Sequence, residues 1–162
     1  MPKKSLYIPD TIDALIAAGE GESYSARVGY LVALADQLVM AAVPDFTLGE
    51  WTAIATAVRD GRPNYERGPE AVLRDTWNSV PDAVDHSVGC WAIDESGLVR
   101  QLKALPLASQ AAAYEVGRRV WAHLQAGQSP ARGIEAFRKA GARVVDEPGG
   151  VVAGAAAGMR GD

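Results

Sequence analysis

The sequence has few of the residues that build metal centres and disulfide frameworks. Its 162 residues include one cysteine, Cys90, and two histidines, His86 and His123. A single cysteine excludes an intramolecular disulfide and is typical of a protein in a reducing cytoplasm. A structural zinc site needs four histidine or cysteine ligands, which this chain cannot supply alone. We therefore predict no metal, no cofactor and a cytoplasmic location.

Long hydrophobic runs are missing as well. No stretch approaches the roughly 18 apolar residues that span a bilayer, and the first ten residues contain no apolar run of the length that a secretory signal needs. Hydrophobic residues still make up 48% of the chain, which is too much for a disordered protein. The sequence predicts a folded protein with no membrane partner.

The chain also lacks an excess of positive charge. Sixteen basic residues stand against twenty acidic ones, and the formal net charge is −4. The net charge is −2 over residues 1–43, −3 over residues 44–126 and +1 over residues 127–162. No segment is basic enough to coat nucleic acid by bulk charge. Any contact with nucleic acid must therefore be local and geometric.

The common motifs of catalysis are absent. The sequence contains no G-x-x-x-x-G-K-[ST], G-x-G-x-x-G, H-E-x-x-H or G-x-S-x-G. His86 and Cys90 are four residues apart, and we interpret them as a surface histidine beside a partly buried cysteine. Four tryptophans lie among apolar residues at helical spacing, and we interpret them as core residues: Trp51, Trp77, Trp91 and Trp121. We predict that the protein is not an enzyme.

The N-terminal segment has a residue pattern that indicates a function. Residues 3–8 alternate, which is typical of a short strand. One face of this strand carries Lys3, Ser5 and Tyr7. A helix of about two turns follows Pro9, and a longer apolar helix is then expected to begin at Ser23 or Ser25. The predicted order is strand, short helix, turn and long helix.

A single short polar strand needs a second strand beside it to be stable. The simplest partner is the same strand of a second copy, which gives a two-stranded antiparallel ribbon across a two-fold axis. Such a ribbon fits the major groove of B-DNA. Lysine can then donate to guanine, serine can pair with several base edges, and tyrosine can contact a base or a phosphate. The face with Lys3, Ser5 and Tyr7 therefore predicts a DNA-reading surface.

Residues 3–10, KKSLYIPD, followed by residues 21–28, GESYSARV, resemble the ribbon-helix-helix family of Arc- and MetJ-type DNA-binding proteins. The resemblance covers about a quarter of the chain and implies an intertwined dimer with one intermolecular antiparallel ribbon. It implies base-reading positions at Lys3, Ser5 and Tyr7. It implies contacts to the DNA backbone from Lys4, Ser23, Tyr24, Ser25 and Arg27. A helix N-terminus is independently suited to binding a phosphate.

The rest of the chain predicts a helical domain. Residues 47–50, TLGE, form a capping box at a helix start, and Pro69 suits the first turn of another helix. Further helical pieces are predicted at residues 80–84, after Asp94 or Ser96, after Pro106 and from Pro130. Residues 45–126 also resemble the helical extensions found in phage- and mobile-element-type proteins with such N-termini.

We therefore predict a mainly α-helical protein in three parts: a ribbon-helix-helix head at 1–43, a helical domain at 44–126, and a short helix with a flexible tail at 127–162. The predicted function is sequence-specific binding of double-stranded DNA, as a homodimer or higher oligomer and as a transcriptional repressor. The alternative is a protein-interaction module, such as an antitoxin or a host-directed phage factor. In that case residues 44–126 bind a protein partner and the N-terminus only dimerises.

Overall fold

The structure, a computed structural model, describes four stretches of the chain: residues 10–17, 23–86, 93–125 and 130–146. The described residues form eight α-helices and two three-residue strands, which confirms the prediction of a mainly helical protein. The chain divides into two compact units, residues 1–41 and 42–162. No helix in the described stretches is long and apolar enough to cross a membrane.

The first unit contains two helices, α1 (Asp10–Ala17) and α2 (Tyr24–Ala41), which contact each other. Their order and lengths agree with the short and long helices expected from the sequence. Of the two serines proposed to begin α2, Ser23 lies at the N-cap, since its side chain accepts a hydrogen bond from the Ala26 amide at 3.2 Å. The strand expected at residues 3–8 lies outside the described residues.

The second unit contains the remaining elements. In chain order they are β1 (Asp45–Thr47), α3 (Leu48–Asp60), a single turn of 3-10 helix (Tyr65–Arg67), α4 (Pro69–Asn78), α5 (Val80–His86), α6 (Glu95–Ala104), α7 (Leu107–Gln125), α8 (Pro130–Lys139) and β2 (Arg143–Val145).

Local chemistry sets three of the helix starts in this unit. Thr47 Oγ1 accepts from the Glu50 amide at 3.3 Å, and Glu50 Oε2 accepts from the Thr47 amide at 2.8 Å. Pro69 occupies the first turn of α4, where its missing N–H costs no helical hydrogen bond. Asp94 caps α6 by accepting from the Gly97 amide at 2.9 Å. The predicted capping box and both further starts are confirmed.

Helix α3 lies at the centre of the second unit, with eight of its 13 residues buried. It packs mainly against α5 and α7. The buried Thr56 hydroxyl donates to the carbonyl of Thr52 at 2.8 Å, so this polar group is satisfied inside the helix. A Cβ at Gly117 of α7 would lie only 3.3 Å from Ala55 Cα. Small residues therefore let the backbones of α3 and α7 approach closely.

An aromatic cluster joins α3 to the end of the described chain. The Trp51 and Phe46 rings meet edge to face at 5.2 Å, and the Trp51 ring lies 6.4 Å from Phe137. The Trp51 indole donates to the Arg143 carbonyl at 3.0 Å. Strands β1 and β2 pair in parallel, with Phe46 opposite Val144. Helix α8 and β2 thus pack within the second unit, and the strand at residues 143–145 was not predicted from the sequence.

The interpretation of the tryptophans is confirmed for two of the four. Trp51 and Trp77 are fully buried, and Trp91 lies outside the described residues. For Trp121 the interpretation is wrong, because its side chain is 40% exposed. Trp121 follows Val120 on α7, and a one-residue step turns the side chain about 100° away from the face that Val120 buries.

Candidate functional site

The structure describes four of the eight residues that the sequence analysis assigned to DNA contact. Ser23, Tyr24, Ser25 and Arg27 lie together at the start of α2. The other four lie outside the described residues: Lys3, Lys4, Ser5 and Tyr7. The candidate site can therefore be built from the α2 end alone.

The start of α2 has the groups that a phosphate requires. Ser23 caps the helix, and its carbonyl accepts from the Arg27 amide at 3.0 Å. The capping bond uses the Ser23 oxygen as an acceptor, so the hydroxyl proton remains available to donate to another group. The first amides of a helix have no partner within the helix and carry partial positive charge. Ser23, Tyr24 and Ser25 are all exposed, so an anion could reach this end of α2.

Tyr24 makes a contact that the sequence analysis did not predict. Its hydroxyl donates to Asp13 Oδ1 at 2.7 Å, which connects α2 to α1. The hydrogen bond to Asp13, followed by desolvation and the nearby negative charge, raises the pKa of Tyr24 above its ordinary value. The proton of the Tyr24 hydroxyl is therefore engaged in a hydrogen bond within the first unit. To contact a phosphate through its hydroxyl, Tyr24 has to break the hydrogen bond to Asp13 and donate the same proton to the phosphate.

The contact between Asp13 and Tyr24 could have been proposed from the sequence. Helices α1 and α2 are consecutive and contact each other, so residues of the first helix lie near the start of the second. A carboxylate in the short helix and a tyrosine just after the turn are then within reach of each other. Asp13 and Tyr24 are eleven positions apart in the sequence, too far for a search for local motifs to connect them.

The charge around the site is mixed. The described residues of the first unit carry one basic side chain, Arg27, against three acidic ones: Asp10, Asp13 and Asp36. Arg27 lies in the first turn of α2 and is half-buried. Binding of an anion here therefore depends on the helix end and on Arg27 rather than on a basic patch.

The apolar face of α2 is the second feature of the first unit. None of the 18 residues of this helix is buried. Three large apolar side chains that recur every four residues, and so share one face of α2, expose 59%, 37% and 64% of their area: Tyr30, Leu34 and Leu38. Val32, which is 64% exposed, lies on the other side of the helix. A contiguous exposed apolar patch is a common mark of an interaction site.

A metal ion in a protein needs a set of ligand side chains. No three histidine, cysteine, aspartate or glutamate side chains gather into a potential metal site within the part of the chain that the structure describes. The backbone of His86 ends α5, while its side chain and the whole of Cys90 lie outside the described residues.

Comparison of the chain with protein-family models, with curated proteins and with solved structures gave no match. The function is therefore argued from the residues of this chain.

Proposed function

We propose that the protein binds double-stranded DNA sequence-specifically as a homodimer, with a ribbon-helix-helix head, and acts as a cytoplasmic transcriptional repressor. In this proposal Lys3, Ser5 and Tyr7 of both chains read base edges from an antiparallel ribbon. The DNA backbone is held by Lys4, Ser23, Tyr24, Ser25 and Arg27. The helical second unit extends the head.

The exposed apolar face of α2 carries the proposal. Tyr30 and Leu38 lie on one face of this helix and expose 59% and 64% of their area, so the face gains free energy when a second surface covers it. In a symmetric dimer the same face of the second chain is self-complementary to it. The dimer that the resemblance implies would bury this helix and would place the two N-terminal strands side by side.

The start of α2 gives the second line of support. Ser23 is the N-cap, and its hydroxyl and the first-turn amides lie at an exposed helix end. Phosphate contacts from helix ends fix the position of a protein on DNA, while base contacts determine the sequence. In the proposal, the start of α2 accordingly positions the protein on the DNA, and the strand residues Lys3, Ser5 and Tyr7 read the sequence.

Selection of duplex DNA from a random pool with the full-length protein tests the proposal. We expect one sequence family with two-fold symmetry to be enriched. Lys3→Ala/Tyr7→Ala should then lose discrimination against mismatched sites while remaining a dimer, since each good base contact contributes about 1–3 kcal/mol.

The matched control is Lys139→Ala/Tyr65→Ala. It removes the same two residue types from exposed positions of the second unit, and it should bind the selected site as the wild type does. Failure to enrich any sequence, or equal discrimination by wild type and Lys3→Ala/Tyr7→Ala, would contradict the proposal.

The charge balance favours the alternative function, a protein-interaction module. The described part of the first unit has one basic and three acidic residues, which weakens long-range attraction to DNA. A fragment of residues 42–162 contains a buried core of its own. If this fragment retains the physiological protein partner and the full-length protein retains no DNA, the interaction function replaces the proposed one.

A further inference from the structure

The second unit has an open cavity of about 420 Å³, a size typical of pockets for small molecules. Helices α4, α6 and α7 supply its lining. Its residues are Glu70, Arg74, Asn78, Lys103, Leu107 and Gln110. Glu70, Arg74 and Asn78 follow one another at intervals of four, so they share one face of α4.

One wall of the cavity is held in place by two partly buried hydrogen bonds of Gln110. The Gln110 side chain accepts from the indole of Trp77 at 3.0 Å and donates to the Leu105 carbonyl at 2.9 Å. Trp77 itself is fully buried. The amide of Gln110 is therefore fixed at both ends, and this wall exists before any ligand binds.

The two cations of the cavity are weakly compensated by the protein. Among the described residues, the one carboxylate in contact with Arg74 is that of Asp75, at the long distance of 3.8 Å. Lys103 donates to the neutral Asn78 Oδ1 at 2.6 Å, and no ion pair joins it to a carboxylate in the described part of the chain. By contrast, Arg59, Arg67, Arg118 and Lys139 each have a carboxylate oxygen within 3.4 Å. Arg74 and Lys103 can therefore accept a carboxylate from outside, with Glu70 as the anion of the lining that competes for them.

Glu70 determines which charged group the ligand needs in addition to its carboxylates. It adds one negative charge to a lining with two positive charges, so the cavity has a net charge of +1 in a chain of net charge −4. A ligand with two carboxylates and one ammonium group has the complementary set of charges. Leu107, the first residue of α7, gives this polar lining one apolar wall.

We propose that this cavity binds an acidic amino acid, with its carboxylates at Arg74 and Lys103 and its ammonium group at Glu70. A role for this ligand as an effector of DNA binding rests on the proposed function, whereas the binding itself does not.

Titration of the full-length protein with L-glutamate in the absence of DNA tests the cavity separately from DNA binding. The signals to follow in ¹H–¹⁵N spectra are the Trp77 indole N–H and the Gln110 side-chain amide, because both lie at the fixed wall. We expect saturable shifts of both signals. Glutarate, which lacks the amine, should bind more weakly, and Glu70→Gln should remove this difference.

The decisive variant is Arg74→Gln/Lys103→Gln, which should weaken L-glutamate binding by about tenfold or more. Its control, Arg118→Gln/Arg138→Gln, makes the same change of net charge at exposed positions outside the lining and should bind as the wild type does. Three results would each overturn the assignment: no saturable shift, equal weakening by both double variants, or glutarate binding as tightly as L-glutamate.

Discussion

Replacing Leu38 with alanine measures how much the apolar face of α2 contributes to dimer formation. The substitution removes three carbons from a side chain that is 64% exposed in one chain. At about 0.8 kcal/mol per buried carbon, scaled by that exposed fraction, the loss is about 1.5 kcal/mol per chain. A symmetric dimer contains the change twice, so its free energy of association falls by about 3 kcal/mol and its dissociation constant rises about 100-fold.

Sedimentation equilibrium over a series of protein concentrations is the appropriate assay, because it gives the dimer dissociation constant directly. The matched control is Leu107→Ala, which removes the same carbons from a leucine that is 46% exposed in the second unit. We expect Leu38→Ala to shift the monomer–dimer midpoint to higher concentration and Leu107→Ala to leave it in place. A wild-type protein that stays monomeric, or a Leu38→Ala midpoint equal to the wild-type one, would refute the argument that α2 forms the dimer.

Three further predictions concern the second unit. Gly117→Val should lower the free energy of unfolding by about 2 kcal/mol, because even a Cβ there would lie 3.2 Å from Val58 Cγ2; Gly117→Ala, which gains helix propensity, should cost less in the same urea titration. Thr47→Ala should cost about 1 kcal/mol by removing the α3 cap, while Thr47→Ser should restore most of it; equal thermal midpoints for both would contradict the capping role. Burial, followed by the hydrogen bond to Tyr65, raises the pKa of the Tyr114 hydroxyl above 10.0. The neutral form is then favoured in the folded state, so its contribution to stability is complete below about pH 10 and is lost as pH rises through the folded pKa. Urea titrations across this alkaline range should show a smaller loss for Tyr114→Phe than for wild type, and identical profiles would contradict the assignment.

The parts of the fold that the sequence predicted depend on neighbouring residues. The capping box of Thr47 and Glu50 joins residues three apart, and Pro69 acts on its own turn of helix. The cap of Asp94 likewise reaches only to Gly97. Such signals are complete within one helical turn, so the sequence alone contains them.

The features that the sequence analysis missed depend on distant residues. Strand β1 pairs with β2, with Asp45 opposite Arg143, and each strand has only three residues, too few for a period of two to be recognised. The exposure of Trp121 likewise depends on which face of α7 the other helices leave uncovered. The cavity lining comes from three helices, so the spacing of four that Glu70, Arg74 and Asn78 share on α4 does not reveal which residues of α6 and α7 join them.

The two units obtain their stability in different ways. The second unit buries Phe46, Trp51 and Trp77 completely within one chain, so its unfolding should not depend on protein concentration. Helix α2 buries no residue, and its large apolar side chains can leave water only against another surface. If that surface is a second copy, mass action makes the stability of the first unit rise with protein concentration. In that case the N-terminal strand, which in the proposal reads DNA only as half of an intermolecular ribbon, would form together with the dimer. The fraction of DNA sites occupied would then follow the concentration of dimers rather than the concentration of single chains.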